Sequence, residues 1–266
     1  MFHHAPMGFD LGGRRALVTG ASAGIGLEIA RELAARGAHL TLAARRLDRL
    51  EELAAALRAT HGIEIGTIEA DLAHPDGARD LIAACGEGPE IDVLVNNAGV
   101  GMHGDGVAHA WARERQMIQL NVVAVAELTK HFAGRMRSRG TGRILQVAST
   151  ASFLPCPGYA AYGATKAFVL HHAEALDEEL RDVDVRVLAL CPGSTNTDFF
   201  EISGNVRGRA QIATSLEPSA VARAGVDALE RGRRVTVPGL ANKLTTAGLR
   251  LIPRRLQATL ARRVLE

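Results

Sequence analysis

The stretch Ala16-Leu17-Val18-Thr19-Gly20-Ala21-Ser22-Ala23-Gly24-Ile25-Gly26, continued by LEIARELAARG through Gly37, decides the fold. Ala16–Thr19 reads as a short buried strand, and the residues after Gly26 carry the 3.6-residue apolar period of a helix. A strand, a glycine turn and a helix in immediate succession open a crossover in a parallel sheet. The backbone of such a turn comes close to a pyrophosphate, and the helix N-terminus offers free N–H groups with a partial positive charge. Gly20, Gly24 and Gly26 are spaced G-x-x-x-G-x-G rather than G-x-G-x-x-G. Gly20, Ser22, Ala23, Gly24, Ile25 and Gly26 are therefore candidate cofactor contacts; the alternative is a tight turn without a ligand. The loop holds no lysine, which disfavours a nucleotide triphosphatase.

Outward from this unit, short apolar runs alternate with helix-period segments. Strands are predicted at Ala16–Thr19, His39–Ala43, Glu64–Glu69, Asp92–Val95, Ile144–Ala148, Val185–Leu190 and Arg234–Val237. Helices are predicted at 24–36, 47–59, 76–85, 109–137, 160–181 and 218–230. Seven strands with intervening helices imply an α/β, doubly wound Rossmann-type fold, a parallel sheet with helices on both faces and right-handed crossovers. No linker or repeat interrupts 1–266, so one dinucleotide-binding domain is expected. An arm (1–13), an irregular 196–216 and a basic tail (240–266) depart from the alternating pattern.

Composition agrees. With 47% hydrophobic and 23% charged residues the chain is globular, and only 10 of its 266 residues are aromatic, leaving Ala, Val, Leu and Ile to fill the interior. Lys and Arg (31) against Asp and Glu (29) give +2, too balanced to suggest a nucleic-acid partner. Cys85, Cys156 and Cys191 lack metal-ligand spacing, and His3 and His4 read as part of a free arm, so no metal is expected. The absence of a secretory pattern or a bilayer-length apolar run reads as a soluble, cytoplasmic protein.

The end of the second strand speaks to cofactor choice. A carboxylate there would bind the adenosine ribose diol and exclude a 2′-phosphate. The sequence instead places Arg45 and Arg46, two guanidiniums suited to a phosphate, so NADP(H) is expected over NAD(H). Asp71 and Leu72 follow the third strand, Asp71 as an acceptor for the adenine amino group. Asn97, Ala98 and Gly99 follow the fourth strand, where small residues leave room for the cofactor.

The chain resembles the short-chain dehydrogenase/reductase family in its compact single-domain branch, over roughly 14–237. The resemblance rests on the glycine turn, Asn96-Asn97-Ala98-Gly99, Asn121, Ser149, Tyr162-Gly163-Ala164-Thr165-Lys166 and Pro192-Gly193. It also rests on their spacing: 28 residues from Asn121 to Ser149, 13 to Tyr162 and 4 to Lys166. Tyr162 and Lys166, four apart on a predicted helix, share a face. A phenol titrates near pH 10, and lowering that by about three units takes roughly 4 kcal/mol, which a neighbouring ammonium and an oxidised nicotinamide are expected to supply. Tyr162 is thus the expected general acid/base, Lys166 its partner and a ligand of the nicotinamide ribose, and Ser149 the group that orients the substrate oxygen. Asn121 resembles the family's asparagine that holds a proton-relay water. The resemblance further implies that Pro192, Gly193, Thr195 and Thr197 lie against the nicotinamide.

Phe199 and Phe200 lie on a lid over 196–216, and Phe153 follows Ser149; these suggest a hydrophobic substrate. The resemblance implies a homodimer or homotetramer through the helices at 109–137 and 160–181. The tail carries Lys243, Arg250, Arg254, Arg255, Arg262 and Arg263 among leucines. It reads as a weak membrane-surface contact, as a last helix packed on the body, or as a cover for the pocket. The leading expectation is NADP(H)-dependent carbonyl reduction. The rivals are an oxidatively working alcohol or hydroxysteroid dehydrogenase and a non-catalytic NADP-binding regulator.

Overall fold

The computed structural model describes residues 8–86, 88–205, 208, 212, 214–249 and 251–265, with the side chains of 263–265 excepted. Residues 1–7 of the arm, Glu87, part of the irregular 196–216, Arg250 and Glu266, and the side chains of Arg263, Val264 and Leu265, lie outside that description.

Seven parallel strands form one sheet in the order β3-β2-β1-β4-β5-β6-β7. They are β1 (Arg15–Thr19), β2 (His39–Ala44), β3 (Ile65–Glu69), β4 (Val93–Asn96), β5 (Gly142–Val147), β6 (Val185–Leu190) and β7 (Val235–Thr236). The order reverses between β1 and β4, the switch point outside which doubly wound sheets open a crevice. Strand residues alternate between two cores. Val18, Val93, Val95, Leu145 and Leu188 face α1 (Gly24–Ala35), α2 (Leu47–His61) and α8 (Pro218–Glu230). Leu17, Leu94, Ile144 and Val187 face α3 (Gly77–Gly86), α5 (Ala124–Arg139) and α6 (Ala160–Leu180). With helices on both faces, β4 and β5 are buried throughout, Asn96, Arg143 and Gln146 included.

Two differences from the sequence expectation matter. The single helix expected over 109–137 is α4 (Trp111–Ile118), a π turn at Gln119–Val123, and then α5. No glycine or proline marks the break. Its cause is tertiary: Asn121, fully buried, turns inward and clamps Val100, and π turns of this kind gather at functional sites. The seventh strand shrinks to Val235–Thr236, the two residues in register with Ala189 and Leu190 of β6. After β7 the tail forms α9 (Leu240–Leu249) and α10 (Arg254–Leu265). No described helix is long and apolar enough to cross a membrane. The three cysteines are free and buried.

Candidate active site

The glycine turn is fastened to the end of β4. The Thr19 hydroxyl donates to the Val95 carbonyl (3.1 Å) and accepts from the amides of Asn97 (3.0 Å) and Ala98 (3.1 Å). The Asn97 amide in turn donates to the carbonyls of Thr19 (2.9 Å) and Gly20 (3.2 Å). Gly20 has φ +66°, and a Cβ there would stand 2.9 Å from Ala98 Cα. A Cβ on Gly26 would stand 2.5 Å from the Gly20 carbonyl and closer still to the Asn97 amide. Helix α1 starts at Gly24 with no side-chain cap and no acid in its first turn, so its N–H groups and positive end are left for an anion. The cradle therefore fits a pyrophosphate. Gly26→Ala is expected to weaken dinucleotide binding at least tenfold and to cost about 1–3 kcal/mol of stability by overpacking; fluorescence titration and thermal melting read both.

Beyond Ser22, Arg45, Arg46 and Arg49 line the crevice, and Arg46 donates to the Ser22 hydroxyl (3.1 Å). Arg49 was not anticipated. Its signal was available, since it lies three residues after Arg46 at the start of a helix. Asp71 and Leu72, expected on the adenine side, do not line the crevice. The turn after β3 folds back on α3, so that Asp71 accepts from the Ala73 amide (3.0 Å) and Leu72 enters the core.

The residues expected to be catalytic converge behind this cradle. Ser149, two residues beyond β5, opens a short 3-10 turn (Thr150–Phe153), its hydroxyl accepting from the Ala151 amide (3.1 Å). Ser152 completes a capping box, accepting from the Ser149 amide and donating to the Lys166 carbonyl (2.8 Å), which ties that turn to α6. Tyr162 and Lys166 share the buried face of α6, the ammonium 5.9 Å from the centre of the phenol ring. Gly99 lies against both Lys166 Nζ and Asn121 Oδ1. The Asn121 amide donates to the Val100 carbonyl (2.9 Å) and Thr165 Oγ1 (3.1 Å), and its oxygen accepts from the Val100 amide (3.1 Å).

Electrostatics in the protein alone differ from the sequence expectation of an acidified phenol. Burial pushes the Tyr162 pKa well above its ordinary value, and a hydrogen bond with Ser149 pulls it only part of the way back. Burial also lowers Lys166 to about 8. Its ammonium donates to the Val147 carbonyl (2.8 Å), so desolvation outweighs any help it gives the phenolate. Tyr162 consequently holds its proton at neutral pH, the state required of a general acid.

The crevice encloses about 920 Å³ and is lined from Gly20 to Arg49 at one end and by Ser149, Tyr162 and Lys166 at the other. Gly99, Pro192, Gly193, Thr195 and Thr197 line it between, and Thr197 Cγ2 stands over Gly24. The segment after β6 contributes α7 (Phe199–Ser203). Phe199 packs on Tyr162 with ring centres 5.3 Å apart, and Phe200 packs edge-on to Phe199. The Ser203 carbonyl accepts from the His103 amide (2.9 Å), which anchors α7. Phe153 is not in this crevice. The 3-10 turn directs it to a second cavity between β7, α8 and α9, because four residues of tight turn reverse the chain after Ser149. Asn242 of α9 lines the crevice unforeseen, its carboxamide packed against Gly193 and donating to the Pro238 carbonyl (2.9 Å). Nothing in a helix of mixed polarity singled it out.

A family model described as short chain dehydrogenase matches residues 14–205. A short-chain dehydrogenase from Sphingobium yanoikuyae, solved in complex with NADPH, superimposes with a TM-score of 0.80 at 33% identity, over 92% of this chain and 98% of that one. A short chain dehydrogenase/reductase from Burkholderia phymatum, solved in complex with NAD, gives a TM-score of 0.78 at 25% identity, over 90% and 93%. Glycine betaine reductase ATRR of Emericella nidulans is 34% identical over 85% of this chain, which spans only 18% of that protein's length.

Proposed function

We propose that this chain, which belongs to the short-chain dehydrogenase/reductase family, uses NADPH to reduce the carbonyl of a hydrophobic substrate to a secondary alcohol. Membership makes it a nicotinamide-dependent oxidoreductase of the alcohol–ketone class; the preference for NADPH, the direction, the substrate and the residue roles are our reading. The observation that carries it is the convergence of Ser149, Tyr162 and Lys166 on one end of a crevice whose other end is a pyrophosphate cradle.

A nicotinamide dinucleotide, when bound, supplies the hydride that adds to the carbonyl carbon. Ser149 holds the carbonyl oxygen by its hydroxyl. Tyr162 passes its phenolic proton to that oxygen, so that C=O becomes CH–OH. Lys166 stands beside the phenol and, together with Asn121 and Gly99, borders the space for the nicotinamide ribose. Met102, Met117, Cys156 and Tyr159 pack around Tyr162 with Val100, Leu154 and Phe199, which supports an apolar substrate. Phe199 on Tyr162 supports a lid that excludes water. Exposed Trp111 and Phe168, on α4 and α6, support pairing of two copies.

The basic edge at Ser22, Arg45, Arg46 and Arg49, with no carboxylate ending β2, supports the 2′-phosphate. Charge-assisted hydrogen bonds contribute about 1.5–3 kcal/mol each. Arg45→Ala/Arg46→Ala is therefore expected to lower kcat/KM with NADPH at least a hundredfold while changing the NADH value little. Comparable kcat/KM for both cofactors in the wild type would refute this specificity.

A further inference from the structure

The exposed leucines of the described residues all fall in the tail: Leu240, Leu244, Leu251, Leu256 and Leu260. Helix α9 divides cleanly. Asn242 and buried Thr246 turn to the body, while Leu240 and Leu244 stand one turn apart on the outer side. Leu251, 87% exposed, continues outward in the turn that follows. Helix α10 is held by Gln257, which donates to the carbonyls of Leu249 and Ile252 (both 3.0 Å), and by buried Ala261. Leu256 and Leu260 remain exposed beside Arg254 and Arg255.

Charge along the last stretch of the sequence has one sign. From Arg231 to Leu265 the sequence has nine lysines and arginines and no aspartate or glutamate. Among the described residues no salt bridge holds Arg233, Lys243, Arg254 or Arg255; Arg231, Arg233 and Lys243 border the cavity of about 590 Å³ beside β7, with Asp227 as its one acid. Cations alone would suit any polyanion. Leucines interleaved with cations on short amphipathic helices suit a surface that is anionic at its headgroups and apolar just beneath.

We propose that α9, α10 and the turn between them form a docking face for an anionic lipid bilayer, with Leu240, Leu244 and Leu251 entering the headgroup–acyl boundary. Because Asn242 on the inner side of α9 lines the crevice, docking sets the crevice near the membrane surface, where apolar substrates collect. The inference does not depend on the proposed reaction, and its readout is not turnover.

Co-sedimentation with vesicles of phosphatidylcholine containing phosphatidylglycerol, beside vesicles of phosphatidylcholine alone, tests it. The full chain is expected to pellet with the anionic vesicles and to be released by salt. Leu244→Asn/Leu251→Asn is expected to weaken partitioning at least tenfold, and Arg254→Gln/Arg255→Gln about 25-fold, at roughly fivefold per cation. All four side chains are exposed, so the variants should melt like the wild type. Three results would overturn the proposal: equal partitioning of wild type and variants, a loss with the arginines but none with the leucines, or a leucine-dependent oligomer that ignores vesicles.

Discussion

Tyr162→Phe is expected to lower kcat between about a hundredfold and ten-thousandfold, the range for loss of a positioned general acid, while the dissociation constant for NADPH changes less than about threefold. The selectivity of the effect follows from position. The phenol lies at the substrate end of the crevice, packed between Phe199 and Tyr159, whereas the cradle at Gly20–Gly26 is anchored by Thr19 and Asn97. Tyr159, the other tyrosine, interacts with Ser203 and has no lysine one turn later, so it is not expected to substitute. Because burial keeps Tyr162 protonated in the cofactor-free protein, its phenol is not expected to titrate there between neutral pH and pH 9. Rapid-mixing measurement of NADPH oxidation, with binding titrated separately, distinguishes a lost acid from a lost cofactor.

Lys166→Met carries the second large effect, in opposite directions for activity and stability. Turnover is expected to fall by orders of magnitude, because the ammonium beside the phenol and ribose site is removed. The cofactor-free protein, however, should become more stable at neutral pH. Lys166 drops from 10.5 to about 8 in the fold, so an unfolded chain binds this proton more tightly than the native one. Below pH 8 the full cost of a buried ammonium is present, about 3 kcal/mol at most. Between pH 8 and 10 the unfolded lysine still carries its proton and the native one sheds it, so stability rises with pH. Methionine removes that cost and also the hydrogen bond to the Val147 carbonyl, itself about 1 kcal/mol. The expected net gain is roughly 2 kcal/mol near pH 7, or about 4–8 °C in Tm, vanishing by pH 10. A variant no more stable than the wild type at pH 7 would show that Lys166 is not desolvated as described.

What the chain disclosed before folding, and what it hid, divides along the range of the forces involved. Strand–turn–helix succession is local, so the alternation from Arg15 to Thr236 and the glycine cradle were legible from apolar period and turn chemistry. Tyr162 and Lys166 were legible for the same reason, since four residues of helix fix their common face. The π turn at Gln119–Val123 was not, because it answers to Val100, about twenty residues away in sequence and adjacent only in the fold. Ser152 escaped notice because its role is to reach the Lys166 carbonyl on another element. Phe153 was misdirected because a 3-10 turn sets side-chain direction at a pitch that strand alternation does not anticipate. Asp71 had a local claim on its carboxylate, the Ala73 amide, that competed with any ligand. Asn242 reached the crevice only through the packing of the tail.

The residues also explain why the site is built on rigid elements. Ser149 leaves a fully buried strand, Tyr162 and Lys166 ride a 21-residue helix, and Asn121 is fixed by three hydrogen bonds. Phe199, after β6, packs over the phenol.

The central claim is that the crevice brings a carbonyl carbon and the nicotinamide together under the Tyr162 hydroxyl. Single-turnover reaction of the protein with an apolar aryl ketone and NADPH bearing deuterium on the transferring face of the nicotinamide measures this directly. The expected product is the secondary alcohol with deuterium on its carbinol carbon, formed by the wild type and not by Tyr162→Phe. Recovery of unlabelled alcohol, or of unreacted ketone from a protein saturated with NADPH across a panel of apolar ketones, would contradict it.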